Sequence, residues 1–172
     1  MAELYWIGNG VMPTMAALVA PTTVVAIRTE LQIKLGASIT NRGKVVEWGI
    51  SFNGSAAATP IACELLTTGT VAATVTTLAA TSVVNLDPAG VTVTDTYPFD
   101  WGTAATGFTA SGEGTITAIR ELDVQFVAPT NQYIKQWPLG REPMFLPTEY
   151  LRVRITAGAT TWKVYTYVVV EV

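Results

Sequence analysis

Apolar and polar residues alternate with a period of two along much of this chain, the mark of strands that bury one face in a core. Between Ile27 and Leu35, the residues Ile27, Leu31, Ile33 and Leu35 fall on one face and Arg28, Glu30, Gln32 and Lys34 on the other. Val46, Trp48, Ile50 and Phe52 likewise oppose Val45, Glu47, Gly49 and Ser51. Leu122, Val124 and Phe126 oppose Glu121, Asp123 and Gln125, while Leu151, Val153 and Ile155 oppose Arg152, Arg154 and Thr156. The separating stretches GASITNRGK, FNGSAAATP, LDPAG, APTN and TAGATT carry turn chemistry. The pattern predicts about eight short strands and no amphipathic helix. It therefore predicts an all-β antiparallel β-sandwich of jelly-roll-like form, one domain over residues 22–172.

Two regions stand apart from the alternation. Residues 1–21 hold Leu4, Trp6, Ile7, Met12, Met15 and Leu18 without a clean period. So much apolar surface must dock somewhere, either as an edge strand on its own domain or as an arm laid across a neighbour. Trp6, Met12 and Met15 are accordingly candidate interface residues. Residues 95–114, DTYPFDWGTAATGFTASGEG, form a connection too long for a plain turn. Tyr97, Phe99, Trp101 and Phe108 within it predict an ordered, contact-making loop, in which Trp101 either packs locally or anchors an interface. The Thr/Ala/Val stretch over 67–84 has two nearly equal faces, so its pairing register is weakly specified.

Late in the chain, WPLGREPMFLPTEY precedes the strand with alternating arginines. Gly140 suits a tight turn, and Pro138, Pro143 and Pro147 each lack the donor that a central ladder needs. The segment is expected to cross an edge or corner. Arg152 and Arg154 then project from the outer face of their strand, either into solvent or against an acidic subunit surface.

Composition limits what such a scaffold can do. The chain has 172 residues, of which 49% are apolar and only 13% charged. That charged share is about half the usual one, which implies surface hidden against other protein. No apolar stretch approaches the ~20 residues of a bilayer helix. Glu3 stands where a secretory signal would be basic, so synthesis in a cytoplasm is expected. A net charge of −3 with dispersed basic residues argues against nucleic acid as a partner.

The catalytic inventory is thin. Without histidine there is no imidazole base, no Ser-His or Cys-His pair and no histidine-ligated metal. The single cysteine, Cys63, lies on an apolar strand face and reads as a small buried hydrophobe. Glu121 and Asp123 share a strand face, as a two-carboxylate glycosidase would require, yet a solvated surface explains them equally well. No enzyme activity, cofactor or metal is expected. Trp48 and Trp137 are expected in the core.

Three motifs carry a resemblance: W-G-I-x-F-x-G at Trp48–Gly54, L-G-x-E-x-x-x-x-P at Leu139–Pro147 and L-R-V-R at Leu151–Arg154. Over residues 44–172 the chain resembles tailed-bacteriophage capsid decoration (cement) proteins. That resemblance implies a jelly-roll-like, non-enzymatic protein of the virion, located on the capsid surface. It implies a homotrimer that clamps neighbouring copies of the major capsid protein. The alternative is a receptor- or glycan-binding jelly-roll module of a phage tail or fibre, with Trp101 stacking on sugar.

Overall fold

The computed structural model describes residues 3–12, 21–24, 26–55, 58–158 and 161–172. Among them the chain forms twelve strands: β1 (Leu4–Gly8), β2 (Ile27–Ile33), β3 (Gly43–Phe52), β4 (Ile61–Thr67), β5 (Thr74–Thr77), β6 (Val83–Asn85), β7 (Gly107–Gly112), β8 (Arg120–Val127), β9 (Gln132–Gln136), β10 (Met144–Phe145), β11 (Leu151–Thr156) and β12 (Val164–Glu171). One 3-10 turn, Ala80–Ser82, precedes β6.

The first half of the chain pairs with the second as one long antiparallel ladder. β4 pairs with β8, β3 with β9, β2 with β11 and β1 with β12. Rolling that ladder up adds the β3–β12 and β4–β11 pairings. Two sheets result: β10–β3–β12–β1–β6, with β9 also on β3, and β5–β7–β2–β11–β4–β8. This double wrap is the predicted jelly roll, built on eight principal strands. The other four, β5, β6, β7 and β10, are two to six residues long and extend the sheet edges.

Of the N-terminal segment 1–21, expected as an edge segment or an arm, residues 4–8 form β1, while residues 13–20 lie outside the described residues. β1 lies between β12 and β6 of its own chain, with neighbours on both sides. The three-residue β6, drawn from the weakly patterned 67–84 stretch, takes the edge instead.

The core lies between the sheets. Tyr5, Ile7, Trp48, Ile50, Val164, Val168 and Val170 come from one sheet, and Leu31, Ile33, Cys63, Leu65, Leu151, Val153 and Ile155 from the other. Two bulges adjust the faces that simple alternation assigns. In β3 the register shifts at Val46, so Val45 enters the core in its place. In β2 the shift falls at Glu30, which turns Ile27 outward.

β8 keeps Leu122 against the core, as expected, but a register shift there overturns the predicted orientation of the residues beyond it. Asp123, opposite buried Leu65, points inward, and Phe126 is left 76% exposed on the outer face. The inward carboxylate is tolerated because β8 sits at the sheet edge above donors of the opposite sheet. Asp123 accepts from Trp48 Nε1 at 3.0 Å, Tyr133 Oη at 2.9 Å and Lys135 Nζ at 3.2 Å. Glu121 stays exposed, so the two carboxylates do not act together.

An Asp123→Ala variant strands the buried Trp48 N–H and is expected to lose about 1–3 kcal/mol of stability. Glu121→Ala is expected to change it by less than about 0.5 kcal/mol. Urea denaturation of the two variants side by side measures the difference.

Candidate functional site

The topology forces the chain to cross the outer face of the second sheet twice. After β4 it must pass the positions of β11, β2 and β7 to reach β5, and after β7 it must return to β8 on the far side of β4. Residues 68–73 and 113–119 make these crossings as two straps. They touch each other: a Cβ on Gly114, whose φ is +72°, would lie 2.7 Å from the Ala72 carbonyl oxygen.

Beneath the straps the outward-facing polar residues of β2 and β11 are sealed from water, which corrects the reading of a wet face. Arg152 is 0% exposed. Its guanidinium donates to the Glu113 carbonyl at 3.1 Å, to Glu113 Oε2 at 3.2 Å and to the Val71 carbonyl. Glu113 also accepts from Thr29 N at 2.6 Å and Thr29 Oγ1 at 2.7 Å. Gln32 accepts from Ala73 N at 2.8 Å and donates to the Ala105 carbonyl at 2.7 Å. Arg152 is therefore a fastening for its own chain, and a partner cannot reach it. Burial pulls its pKa below the ordinary arginine value, partly offset by the Glu113 charge.

Arg154 is half-buried and paired at 2.8 and 3.0 Å with both oxygens of Glu64 on β4. That bidentate bond raises its pKa and occupies the fork that an acidic partner would have used.

The expected 95–114 loop is in part a strand, since Gly107–Gly112 form β7, and its aromatics face inward. Phe99 is fully buried, which corrects its place among interface candidates. It meets Tyr5 edge-on at 5.5 Å and Trp101 at 6.2 Å, closing one end of the sandwich between the two sheets. Trp101 is half-buried and donates its indole N–H to the Thr94 carbonyl at 3.0 Å. Tyr97 and Phe108, also half-buried, pack against the same core. Met12 is half-buried, and Met15 lies outside the described residues. Trp6 is half-buried on the outer face of the first sheet, beside Tyr165 and Tyr167.

The surface that sequence reasoning left unassigned is the proline-rich corner. Gly140 turns with φ +80°, and Arg141 N closes the turn on the Pro138 carbonyl at 2.9 Å. Phe145 is the buried residue of β10, whose two residues pair with Gly43 and Lys44 of β3. The neighbours of Phe145 have nowhere to go but out. Leu139 is 96% exposed, Met144 38% and Leu146 43%. Arg42, Arg120, Met144, Phe145, Leu146 and Glu149 line a cleft of ≈ 190 Å³. A second cleft of ≈ 670 Å³, which includes Lys44 and Glu171, shares Arg42 and Leu146 with it. Exposed Leu, Met and Arg on a rigid turn suit contact with protein. The prolines marked this segment as a corner, but nothing in the spacing distinguished Phe145, which goes in, from Met144 and Leu146, which stay out.

Among the described residues no group of three or more His, Cys, Asp or Glu is placed to hold a metal ion. Cys63 is buried, and that burial pushes its thiol up to about 12. Iodoacetamide at pH 8 is expected to leave Cys63 unmodified in the folded protein and to alkylate it in urea, as intact mass will show.

Glu30 is fully buried, and among the described residues its Oε2 has no hydrogen-bond partner. Burial raises its pKa above 4.5, against the opposing pull of Arg28 and with a further push from the Glu113 charge. A carboxyl whose folded pKa exceeds its unfolded one holds its proton more tightly when folded. Its contribution to stability therefore falls as pH rises from the unfolded value through the raised one. Glu30→Gln removes that loss, so the Tm of the variant minus that of the wild type is expected to grow from pH 4 to pH 7. A difference that is flat with pH contradicts this.

Comparison of the chain with protein-family models, with curated proteins and with solved structures yields no match.

Proposed function

We propose that this chain is a non-enzymatic structural protein of a virus particle, a decoration (cement) protein that binds between major capsid subunits and presents the proline-rich corner to them. The observation that carries the reading is the corner itself: Met144 and Leu146 exposed beside Arg42 and Arg120, with Leu139 exposed on the pinned turn just before them in sequence. The same segment holds the L-G-x-E-x-x-x-x-P motif of the resemblance. A jelly roll with its ion pairs satisfied internally and exposed apolar groups beside two arginines at this corner has the makings of a clamp.

The mechanism is mass action. A protein that binds the assembled shell and not its dissociated subunits stabilises the shell by about 2.7 kcal/mol when present at a hundred times its Kd. Trimerisation would multiply that through linked contacts without any new chemistry. The alternative, a glycan-binding module using Trp101, has less to stand on, because that ring is packed on Phe99 and tied to Thr94.

The test is co-sedimentation of the purified protein with undecorated, expanded shells of the virus that encodes it, together with the melting temperature of those shells. The wild type is expected to pellet with the shells and raise their melting temperature. Leu139→Glu combined with Leu146→Glu is expected to weaken binding at least tenfold with the protein's own Tm unchanged, since both side chains are solvent-exposed. Failure of the wild type to pellet at micromolar concentration sinks the proposal.

A further inference from the structure

The outer face of the first sheet carries a second surface, distinct in chemistry from the corner. β12 presents Tyr165, Tyr167, Val169 and Glu171 outward, because Val164, Thr166, Val168 and Val170 fill the inside. β1 presents Trp6 and Gly8 on the same side, with Gly8 opposite Tyr167 and Trp6 opposite Val169. β3 continues these rows with Ser51, Gly49 and Glu47, and β9 with Gln132, Ile134 and Gln136.

Two glycines decide what the aromatic side chains do there. A Cβ on Gly8 would sit 2.5 Å from Trp6 Cη2, and one on Gly49 would sit 2.5 Å from Tyr167 Cε1. The indole thus leans over Gly8 and the Tyr167 ring over Gly49, each filling the place where a neighbouring side chain would stand. The ring planes of Trp6 and Tyr167 differ by 22° at 6.0 Å between centroids, and those of Trp6 and Tyr165 by 28° at 6.4 Å. Tyr165 and Tyr167 are 6.5 Å apart with planes 40° from parallel. The three rings gather into one aromatic floor, Trp6 stacked near parallel with each tyrosine and the tyrosines tilted to one another, each half-buried, with half-exposed Ile134 nearby on β9.

Within these three rows the rim is polar and holds no Lys or Arg, and exposed Lys163 stands two residues before Tyr165, outside them. Gln132 and Gln136 are exposed, Ser51 is half-buried, and Glu47 accepts the Tyr167 hydroxyl at 2.6 Å. The lone carboxylate and the absence of Lys or Arg in these three rows disfavour phosphate, sulfate or nucleic-acid ligands, which need basic neutralisation. Aromatic faces accept the C–H face of a sugar ring, while amides, a hydroxyl and a carboxylate hydrogen-bond its rim of hydroxyls. Ring spacings of 6.0 to 6.5 Å are comparable with the length of one pyranose unit.

We propose that Trp6, Tyr165 and Tyr167, with Glu47, Gln132 and Gln136 at their edge, bind a neutral oligosaccharide of two or three linked pyranose units. The floor extends away from the corner: its near row, Val169 with Glu47 and Gln136, is two residues from Glu171, and Tyr165 lies six residues along β12 from it, about 20 Å at the rise of a strand. A shell-bound copy could therefore hold the capsid with one surface and a glycan with the other. The saccharide site does not depend on the decoration reading, and a protein that binds no shell would still show it.

The experiment is a glycan array of neutral gluco- and galacto-configured oligosaccharides with sialylated and sulfated ones alongside, followed by titration of the strongest neutral probe with tryptophan fluorescence as readout. A neutral probe is expected to bind and to perturb the emission. Trp6→Ala and Tyr165→Ala are each expected to weaken it at least tenfold, and Phe126→Ser, on the opposite sheet, to leave it unchanged. Tyr165→Ala keeps the test open if loss of Trp6 disturbs the fold, as far-UV circular dichroism will report. A blank array overturns the proposal, as does binding confined to the anionic glycans. Binding that survives Tyr165→Ala in a folded variant overturns it too. So does a blank array from an oligomer that Tyr165→Ala dissociates, since the floor would then be an interface between copies.

Discussion

The pairing of the chain's two ends holds this structure together. β1 and β12 lie antiparallel from Leu4↔Glu171 to Gly8↔Tyr167, and Glu3 and Val172 exchange backbone hydrogen bonds just beyond. Without that ladder the first sheet would end at β12, and Tyr5 and Ile7 would leave the core. The contact also brings Trp6 beside Tyr165 and Tyr167, residues some 160 positions away in sequence, so the aromatic floor exists only because the ends meet. Glu3 ties the arrangement down further. Its carboxylate accepts from Tyr5 Oη at 2.9 Å, from Asn85 Nδ2 at 2.5 Å and from Val91 N at 2.8 Å, joining β1 to the β6 edge.

A second constraint follows from inserting β5–β7 between β4 and β8. The two straps it needs must lie over a sheet face that already carries Thr29, Gln32 and Arg152. Those residues were available to fasten the straps, and Glu113 completes the fastening. The cost is a fully buried Glu30 and an Arg152 whose Nε finds no partner among the described residues. Removing one member of such a set is more damaging than never having had it, because the other charge stays buried. The low charge of the chain thus has an internal account beside any external one. Much of its polar complement is spent beneath its own loops, and a small second core of Ala73, Val75 and Ala110 forms around the insertion.

The functional surfaces differ in how far the sequence announced them. The proline-rich corner was marked by Gly140 and three prolines, which fix where the ladder stops. The loop of 95–114 drew attention for its aromatics, yet Phe99 is there to close the end of the sandwich, with Trp101 behind it. A buried cap and an exposed anchor have the same composition; only the position of Tyr5 on the opposite sheet separates them. Tyr165 and Tyr167 stand two apart on a strand, so their sharing a face was legible, whereas their meeting with Trp6 was not.

By itself the sequence determined the period of β2, β3, β8 and β11, the turns around them and the all-β antiparallel character, because alternation and turn chemistry are local. It also determined the poverty of the chemical inventory, since no fold can supply a histidine that is absent. The tertiary structure alone decided which face of each strand looks inward. A single bulge residue, Val46 in β3 or Glu30 in β2, reverses that choice, and in β8 the edge position let Asp123 turn in and Phe126 turn out. It decided, too, that Arg152 is covered, because coverage depends on where a distant insertion crosses the sheet. Period is written within a few residues, whereas burial is settled by whatever the rest of the chain lays on top.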